Sequence, residues 1–352
     1  MKNNKIIMFM ITLLLLIVPG MQAKAAESFI IDTDFSSDLD DALAVSLAMY
    51  YQDQGLIDVK GVALECTSLR GALAMNALLQ AHGHAEIPVA VDSEWGIPIG
   101  SKYHLNMSNN PHNEDYYYGT VQFYRKRLSQ SDTPINIVTL GQVITLRRLL
   151  ESGPDVYSPL TGAELIQQKV NRLYVLGCKE SGKPENNMFY VGEDYDSNKW
   201  YGTQAAGEAG AYIAKNWPTE VVFITAEQGG VFNTGFFFKK SDPVGNDILA
   251  KAMIDQGYAD SGCWSFDTFA VLAAIADATG KSNQYNIASK QGTMSIYANG
   301  SSSWIDSAVG MHRKLQKNTV DSYYANLIDT GLAYEFQKRS GKQVVWQKGE
   351  SK

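Results

Sequence analysis

Apolar runs of strand length alternate with segments of helical periodicity from residue 29 onward. The strand-like runs include Phe29–Ile31, Val59–Leu64 and Ile135–Leu140, and each is followed by a glycine or a carboxylate. The segment Leu69–Ala81 is typical of the intervening stretches, because its apolar residues recur near helical spacing. Strands that alternate with helices predict an α/β fold. We expect a single-domain, Rossmann-like open sheet, mostly parallel and flanked by helices.

The first 25 residues have the pattern of an export signal. Two lysines precede an apolar run from Ile6 to Val18, and Ala23–Ala25 supplies a cleavage site. The run is short for a membrane-spanning helix, although a retained membrane anchor is the alternative. We therefore expect residues 1–25 to be a signal peptide and residues 26–352 to form the α/β domain, exported to the periplasm or secreted and free of the membrane.

The exported chain is acidic. The signal segment carries three lysines and no acid, so its removal takes the formal net charge from -7 to -10. An acidic chain has no electrostatic basis for binding nucleic acid, which favours a small-molecule ligand. Hydrophobic residues make up 45% of the sequence, which is enough for the core of one large domain. The sequence leaves the oligomeric state open, and a homo-oligomer is compatible with it.

Five aspartates lie within ten positions directly after the first predicted strand. They are Asp32, Asp34, Asp38, Asp40 and Asp41, and helix-forming residues follow them. Carboxylates this close repel one another, and a hard cation with oxygen ligands, such as Ca²⁺, relieves that repulsion. Helix capping accounts for Asp40 but leaves Asp32 and Asp34 unexplained. We therefore expect a metal site where this strand ends, at the edge where open α/β sheets bind ligands.

The stretch Asp32–Ala42 resembles the N-terminal signature of the inosine-uridine-preferring nucleoside hydrolase family. The longer form of that signature reads Asp-Thr-Asp-x-Gly-x-Asp-x-Asp-Asp-Ala, and this chain departs from it at Ser36. Later blocks are similar to the family in the same order, as far as about residue 335. These blocks are Ile137–Leu146, Asp196–Ala206, Asn216–Thr225 and Cys263–Leu272.

The resemblance implies a Ca²⁺-dependent hydrolase that cleaves the N-glycosidic bond of a ribonucleoside or a related ribosyl compound. By carry-over of the family's motifs, Ca²⁺ would be held by Asp34, Asp41, Asp267 and the backbone carbonyl of Leu140. Asp34 would also act as the general base that takes a proton from water. Substrate contacts would come from Asp38, Asp40, Asp196, Asn198, Trp200 and Phe266, with Asp38 and Asp40 as alternatives for the same sugar hydroxyls.

The residue before Asp267 bears on how the base leaves. Some members of the family carry a histidine there that protonates a purine, whereas this chain has Phe266, which cannot donate a proton. We expect either a base that stacks on aromatic side chains or a proton donor from the irregular segment 92–118. His104, His112 and the tyrosines of that segment are the candidate donors, whereas the alternative for a lone histidine in a loop is a solvent-exposed residue without a catalytic role.

Three alternative functions remain open on the sequence. The first is hydrolysis of another glycosyl substrate, and the second is an exported sugar- or nucleoside-binding protein of the same fold without turnover. The third is a haloacid-dehalogenase-like phosphatase, suggested by Asp32-Thr33-Asp34, but the later lysine and acidic pair that it needs are not convincingly present.

Three cysteines map to the proposed site end of the sheet, two of them after predicted strands and one four residues before Asp267. They are Cys66, Cys178 and Cys263. One hypothesis is three separate, buried and inert thiols. The alternative is a disulfide between Cys66 and Cys178, which an exported protein can form.

Overall fold

The computed structural model describes residues 25–35, 38–65, 69–92, 101–107, 119–194, 199–202, 204–241, 247–342 and 344. Residues 1–24 of the expected signal peptide lie outside these ranges, so the signal peptide and export stay predictions. No helix among the residues described has the length and apolar character needed to cross a membrane.

Strands and helices alternate along most of the described chain. The strands are β1 (Glu27–Thr33), β2 (Ile57–Leu64), β3 (Val89–Val91), β4 (Ile135–Thr139), β5 (Val170–Leu176), β6 (Tyr190–Asp194), β7 (Lys199–Gly202), β8 (Glu220–Ile224), β9 (Asn233–Thr234), β10 (Cys263–Trp264), β11 (Ile287–Ile296), β12 (Ser302–Asp306) and β13 (His312–Lys317). The helices are α1 (Asp40–Asp53), α2 (Leu69–Ala81), α3 (Lys102–Met107), α4 (Thr120–Gln130), α5 (Ile144–Glu151), α6 (Gly162–Lys169), α7 (Asn186–Phe189), α8 (Gln204–Asn216), α9 (Ala226–Gly229), α10 (Ile248–Asp255), α11 (Phe266–Ala278) and α12 (Asp321–Ser340).

Nine strands form the central sheet, in the order β12-β11-β13-β8-β5-β4-β1-β2-β3. The strands from β3 to β13 in this order pair in parallel, and β11 pairs antiparallel with both β13 and β12 at the other edge. The strands β6–β7 and β9–β10 form two separate short ribbons. The predicted α/β class with a mostly parallel sheet is confirmed.

The strand order reverses at β1. The chain runs outward from β1 to β2 and β3 on one side, and from β4 through β5 to β8 on the other. Connections that leave in opposite directions open a crevice at the carboxyl ends of the two central strands, where open α/β sheets bind ligands. Asp32 pairs with Ala63 and Thr139 in this register, so the acidic stretch begins at the crevice.

Each face of the sheet packs against a different group of helices. Phe29 and Ile31 belong to the core cluster that includes α1 and α11, whereas Ile30 belongs to the cluster that includes α4 and α5. Both α1 and α11 are buried along nearly their whole length, because they pack against each other and α1 also contacts α12. A helix enclosed in this way is apolar on all sides, which is why neither sequence shows an amphipathic stripe.

A buried ionic network fixes α12 beneath α1 and α2. Arg339 donates from Nε to Asp247 Oδ2 at 2.7 Å and from Nη1 to Nε2 of His82 at 3.1 Å. His82 Nδ1 lies 2.6 Å from Glu335 Oε2. Burial lowers the pKa of His82 well below its usual value and raises the pKa of Glu335 to about 7. His82 is therefore a neutral ring that accepts from Arg339 and donates to Glu335.

We expect Arg339→Met to lower the free energy of unfolding by about 3–5 kcal/mol, because it leaves Asp247 buried without its cation. Their side chains are 3% and 1% exposed. Denaturant unfolding measures the loss. Lys60→Met is the matched control, since its ion pair with Asp58 is largely exposed and contributes at most about 1 kcal/mol. Equal losses in the two variants would contradict the assigned role of the buried pair.

Candidate active site

A cavity opens at the carboxyl ends of the central strands. Its wall is formed by Asp34, Asp38, Asp40, Asp41, Leu140, Gln142, Leu176, Glu185, Asn186, Asn187, Ala226, Phe266 and Asp267. Six of these side chains are carboxylic acids, and none is a lysine, arginine or histidine. The cavity therefore gathers most of the predicted site residues that the structure describes.

Three buried carboxylates lie close together although they belong to two helices that are far apart in the sequence. Asp40 and Asp41 open α1, and Asp267 lies in the first turn of α11. Each offers a ligand oxygen, and these oxygens lie within 4.8 Å of one another. Both helices direct the positive ends of their dipoles toward these acids, which offsets part of the repulsion.

Burial and mutual repulsion disfavour the charged forms of these acids. Burial, with the neighbouring charge of Asp40, raises the pKa of Asp41 to about 7. Burial and nearby acids also raise the pKa of Asp40 and that of Asp267 well above the usual range. An oxygen-only donor set that repels itself is the kind of site that Ca²⁺ occupies, so the residues present fit a hard divalent cation.

Gly141 brings the end of β4 against Asp34. A Cβ atom at Gly141 would lie 2.8 Å from the Asp34 backbone nitrogen and 2.9 Å from its Cβ, so only glycine permits this approach. The carbonyl of Leu140 accepts a hydrogen bond from Asn187 Nδ2 at 2.8 Å and keeps a second lone pair. The four groups predicted to hold Ca²⁺ therefore line one cavity: Asp34, Asp41, Asp267 and the Leu140 carbonyl.

The turn after β1 folds around Asp41. The backbone N–H of Phe35 donates to Asp41 Oδ1 and to Thr33 Oγ1, both at 3.2 Å, and the Thr33 hydroxyl also donates to Asp41. Phe35 adopts a left-handed backbone conformation with φ of 41°, which is uncommon for a side chain of this size. The turn is thus held by hydrogen bonds to a candidate metal ligand, while Ser36 lies outside the described residues.

Helix α3 covers this turn and corrects the prediction for His104. The ring of His104 is fully buried and stacks on Phe35 at a centroid distance of 4.7 Å, with Tyr103 edge-on to Phe35 at 5.6 Å. Burial lowers the pKa of His104 to about 3, so the ring is neutral. His104 does not line the cavity, and it is not an exposed loop histidine, because aromatic rings surround it instead of water. His112 lies outside the described residues.

Asp38 and Asp40 occupy different places. Asp40 lies with the buried cluster, whereas Asp38 is exposed at the edge of the cavity. The hydroxyl of Tyr258 donates to Asp38 Oδ1 at 3.2 Å, and the hydroxyl of Tyr103 donates to the Asp38 carbonyl at 3.0 Å. Two tyrosines therefore hold Asp38 at the entrance, while Asp40 lies inside with Asp41 and Asp267.

The segment that runs from the loop after β5 into the start of α7 contributes three cavity residues that sequence analysis missed. Asn187 donates from Nδ2 to the carbonyls of Leu140 and Leu176, at 2.8 and 3.1 Å. Glu185 accepts from the Asn187 backbone N–H at 3.0 Å, and its burial raises its pKa to about 7. Glu185-Asn186-Asn187 has the same acid-x-Asn spacing as Asp196-Ser197-Asn198, so this spacing is the signal by which the sequence could have indicated it.

Several predicted residues fall outside the described part of the site. Asp196 and Asn198 lie outside the described residues, and Trp200 is described for its backbone in β7 but not for its side chain. Phe266 lines the cavity, and the ring of Trp264, 47% exposed, lies 6.3 Å from the Phe266 ring. These two rings form an aromatic edge next to Asp267.

Asp32 is the member of the acidic stretch that does not line the cavity. Its carboxylate accepts from the Tyr124 hydroxyl and from Thr139 Oγ1, the latter at 3.1 Å. It lies against Glu65, which is also buried, and burial raises the pKa of Asp32 to about 6. Asp32 therefore supports the end of β1 rather than contacting a ligand.

The cysteines give no disulfide among the residues described. Cys178 and Cys263 are free, buried thiols, and burial raises the pKa of both. Cys66 lies outside the described residues, so its own state stays a prediction. Cys178 is thus present as a thiol rather than as half of the bridge considered for it.

The fold of this chain is similar to that of several solved protein structures. No protein-family model matches the sequence, and no curated protein matches it significantly. An inosine-guanosine nucleoside hydrolase is similar over 91% of this chain and 100% of its own, with 16% identity and a TM-score of 0.61. The inosine-uridine preferring nucleoside hydrolase from Bacillus anthracis is similar over 88% and 99%, with 14% identity and a TM-score of 0.57.

A protein with a different description shares the fold as well. The type III effector protein XopQ, solved in complex with adenosine diphosphate ribose, is similar over 88% of this chain and 94% of its own. Its identity is 14% and its TM-score 0.58. At such low identities these similarities establish the shared fold, and the chemistry has to be argued from the cavity.

We expect Gly141→Ala to weaken Ca²⁺ binding about tenfold or more, because the added Cβ pushes Asp34 or the Leu140 carbonyl away from the other ligands. Isothermal titration calorimetry with CaCl₂ measures the affinity. Gly153→Ala is the control, since nothing lies within 4 Å of a Cβ placed there. Affinity unchanged in Gly141→Ala would show that the close approach does not position the ligands.

Stabilisation by Ca²⁺ should grow with pH. The folded pKa of Asp41, about 7, lies above the unfolded value, so the metal-free fold loses stability as pH rises from about 4 to about 7. A bound cation favours the ionised carboxylates and removes this loss. Melting temperatures with Ca²⁺ and with chelator should therefore differ more at about pH 8 than at about pH 5. Sodium chloride at matched ionic strength is the control, and a Ca²⁺ effect that shrinks with pH would contradict the site.

Proposed function

We propose that this chain, which has the nucleoside hydrolase fold, hydrolyses the N-glycosidic bond of a ribonucleoside or a related ribosyl compound with the help of Ca²⁺. The observation that carries the proposal is the convergence of Asp40, Asp41 and Asp267 in one cavity with Asp34 and the Leu140 carbonyl. That cavity lies where the strand order reverses, the place at which this class of sheet binds its ligands.

The cation would be held by Asp34, Asp41, Asp267 and the carbonyl of Leu140. When bound, Ca²⁺ supplies positive charge that polarises water and the sugar hydroxyls. The donor set favours Ca²⁺ because all four groups are hard oxygen ligands and the described wall of the cavity contains no sulfur or imidazole. Asp40 lies close enough to complete the set or to bind a sugar hydroxyl beside it.

Asp34 is the proposed general base. It stands where the end of β4 meets the acidic turn, and it lines the cavity with the other carboxylates. Cleavage of a glycosidic bond passes through an oxocarbenium-like transition state with positive charge on the sugar ring. A wall with six acidic side chains stabilises that charge as it develops.

The sugar would be oriented by the acidic turn and by the loop after β5. Asn187 donates both amide hydrogens to backbone carbonyls. Its Oδ1 atom is therefore the group that can accept a hydrogen bond from a sugar hydroxyl. Glu185 and Asp40 are the carboxylates placed to accept hydrogen bonds from further sugar hydroxyls, and Asp38 can accept one at the entrance. Asp196 and Asn198, expected from the family resemblance, stay predictions for the same task.

A binding protein of the same fold without turnover is the second candidate. Phe266 favours it, because a phenyl ring next to Asp267 offers no proton to a departing base. Release of free ribose distinguishes the two functions. Residues 26–352, purified and loaded with Ca²⁺, would be assayed against a panel of nucleosides with and without chelator. Bound nucleoside without ribose release would favour the binding protein.

Asp34→Asn and Asp267→Asn should each lower ribose release by about 10²-fold or more, because one removes the base and both remove a proposed cation ligand. Circular dichroism should show the fold retained. Asp321→Asn is the matched control, since Asp321 also lies in the first turn of a helix, α12, but its side chain is half-exposed and does not line the cavity. Turnover at the wild-type rate in either site variant would remove that residue from the mechanism.

A further inference from the structure

The charge of the cavity is one-sided. Its described wall carries six acidic side chains and no basic one. When Asp34, Asp41 and Asp267 are ionised around one divalent cation, their charge exceeds that of the cation, so the wall stays negative. A cleft lined by one sign of charge concentrates ligands of the opposite sign and repels ligands of its own. A substrate that is itself a cation gains from this field, whereas a neutral nucleoside gains little and a phosphorylated one is repelled.

The part of the cavity wall that the structure describes offers no histidine, lysine or tyrosine to protonate the leaving group. Phe266 occupies the position next to Asp267, and His104 is packed behind Phe35 in neutral form. The remaining acidic protons on the described wall belong to carboxyl groups, of which Glu185 has a pKa of about 7. A neutral purine or pyrimidine needs a proton as it departs, whereas a positively charged heteroaromatic base departs neutral without one.

Aromatic rings stand beside the same position. Phe266 lies on the wall, and Trp264, half-exposed, has its ring 6.3 Å from the Phe266 ring. The faces of such rings attract cations, and tryptophan does so most strongly. A flat cationic ring can therefore rest against this edge while the ribose lies over the acids.

We infer that the substrate of this site is a cationic, unphosphorylated N-riboside, such as a ribosylated pyridinium. The inference rests on the proposed hydrolase function and narrows its substrate. The water oxygen forms a bond to C1′ of the ribose while the bond from C1′ to the ring nitrogen breaks, and that electron pair neutralises the ring. The proton of the water goes to Asp34 and then to solvent. Cation and water thus give ribose, a neutral heteroaromatic base and a proton.

The acidic wall also predicts discrimination against phosphate. Asp38, exposed at the entrance and oriented by Tyr258, lies where an approaching charged group would meet the site first. A 5′-phosphate would be brought toward carboxylates with no lysine or arginine on the described wall to receive it. The site therefore differs in its expected ligand from XopQ, whose structure holds adenosine diphosphate ribose.

The test compares leaving groups on the Ca²⁺-loaded protein. We expect kcat/KM for N-ribosylnicotinamide to exceed that for uridine and inosine by about 10²-fold or more, the usual contribution of a general acid that the pyridinium does not need. Its 5′-phosphate should be cleaved about tenfold or more slowly than the riboside itself. Rates of equal size for the cationic and neutral ribosides, or for riboside and phosphate, would overturn the inference.

A neutral substrate with an activated leaving group separates this inference from the proposed function. p-Nitrophenyl β-D-ribofuranoside is uncharged and needs no proton for departure, so a hydrolase of this kind should cleave it. If none of the ribosides releases ribose, the proposed function fails. If the nitrophenyl riboside is cleaved and the pyridinium riboside is no better than uridine, the hydrolase stands and the cationic substrate is wrong.

Variants at the wall test each cause separately. Phe266→His adds a donor and should raise the inosine rate relative to the pyridinium rate about tenfold, whereas Phe266→Leu, which adds none, should not. Asp38→Asn should reduce the discrimination between the riboside and its 5′-phosphate. If the wild type cleaves inosine rapidly and Glu185→Gln loses this activity, Glu185 is the general acid and the inference is wrong.

Binding without turnover supplies a readout independent of rate. Calorimetry on the Asp34→Asn protein should show N-ribosylnicotinamide binding about tenfold or more tightly than uridine, with an advantage that falls as salt is added. Equal affinities for the cation and the neutral nucleoside would overturn the inference, because the field of the wall is its main cause.

Discussion

Repulsion among buried carboxylates is the constraint on which this structure depends. Asp40, Asp41 and Asp267 lie within one small volume and are buried, so each ionised group disfavours the others. Two helix N-termini directed at the same point offset part of this cost. The packing of α1 and α11, which are enclosed by the sheet and by other helices, offsets the rest of the repulsion. An arrangement that costs stability in the absence of a cation gains it back when a cation binds.

The scaffold holds the acids in place through close contacts rather than through flexible side chains. Gly141 lets the end of β4 touch Asp34, and the left-handed Phe35 turns the chain so that its N–H reaches Asp41. Helix α3 then covers that turn with Tyr103 and His104. Behind the site, Arg339 and its partners hold α12 beneath α1. The buried aromatic and ionic contacts therefore act on the site by limiting the movement of the elements that carry it.

The composition of the cavity wall determines the chemistry it can support. Acidic side chains suit a transition state with positive charge on the sugar, and they serve equally well as ligands for Ca²⁺. Glu185 and Asn187 extend this wall from the loop after β5, and Asn187 ties the Leu140 carbonyl to that of Leu176. The absence of a basic side chain from the described wall limits the substrate as much as the acids define it.

Local sequence pattern determined the α/β class, the strand that ends in acids and the aspartates that open two helices, because strand length, helical spacing and charge crowding are properties of neighbours along the chain. It also suggested Phe266 and the Leu140 carbonyl through family resemblance.

The tertiary structure decided which acids meet. Asp32 and Asp34 are two residues apart, yet Asp32 turns to Tyr124 and Thr139 while Asp34 lines the cavity. The tertiary structure also decided that Glu185 and Asn187 belong to the site and that His104 does not, since strand order brings the β5 loop beside β4 and aromatic packing encloses α3. Distances across a sheet depend on strand order and packing, which no local pattern encodes.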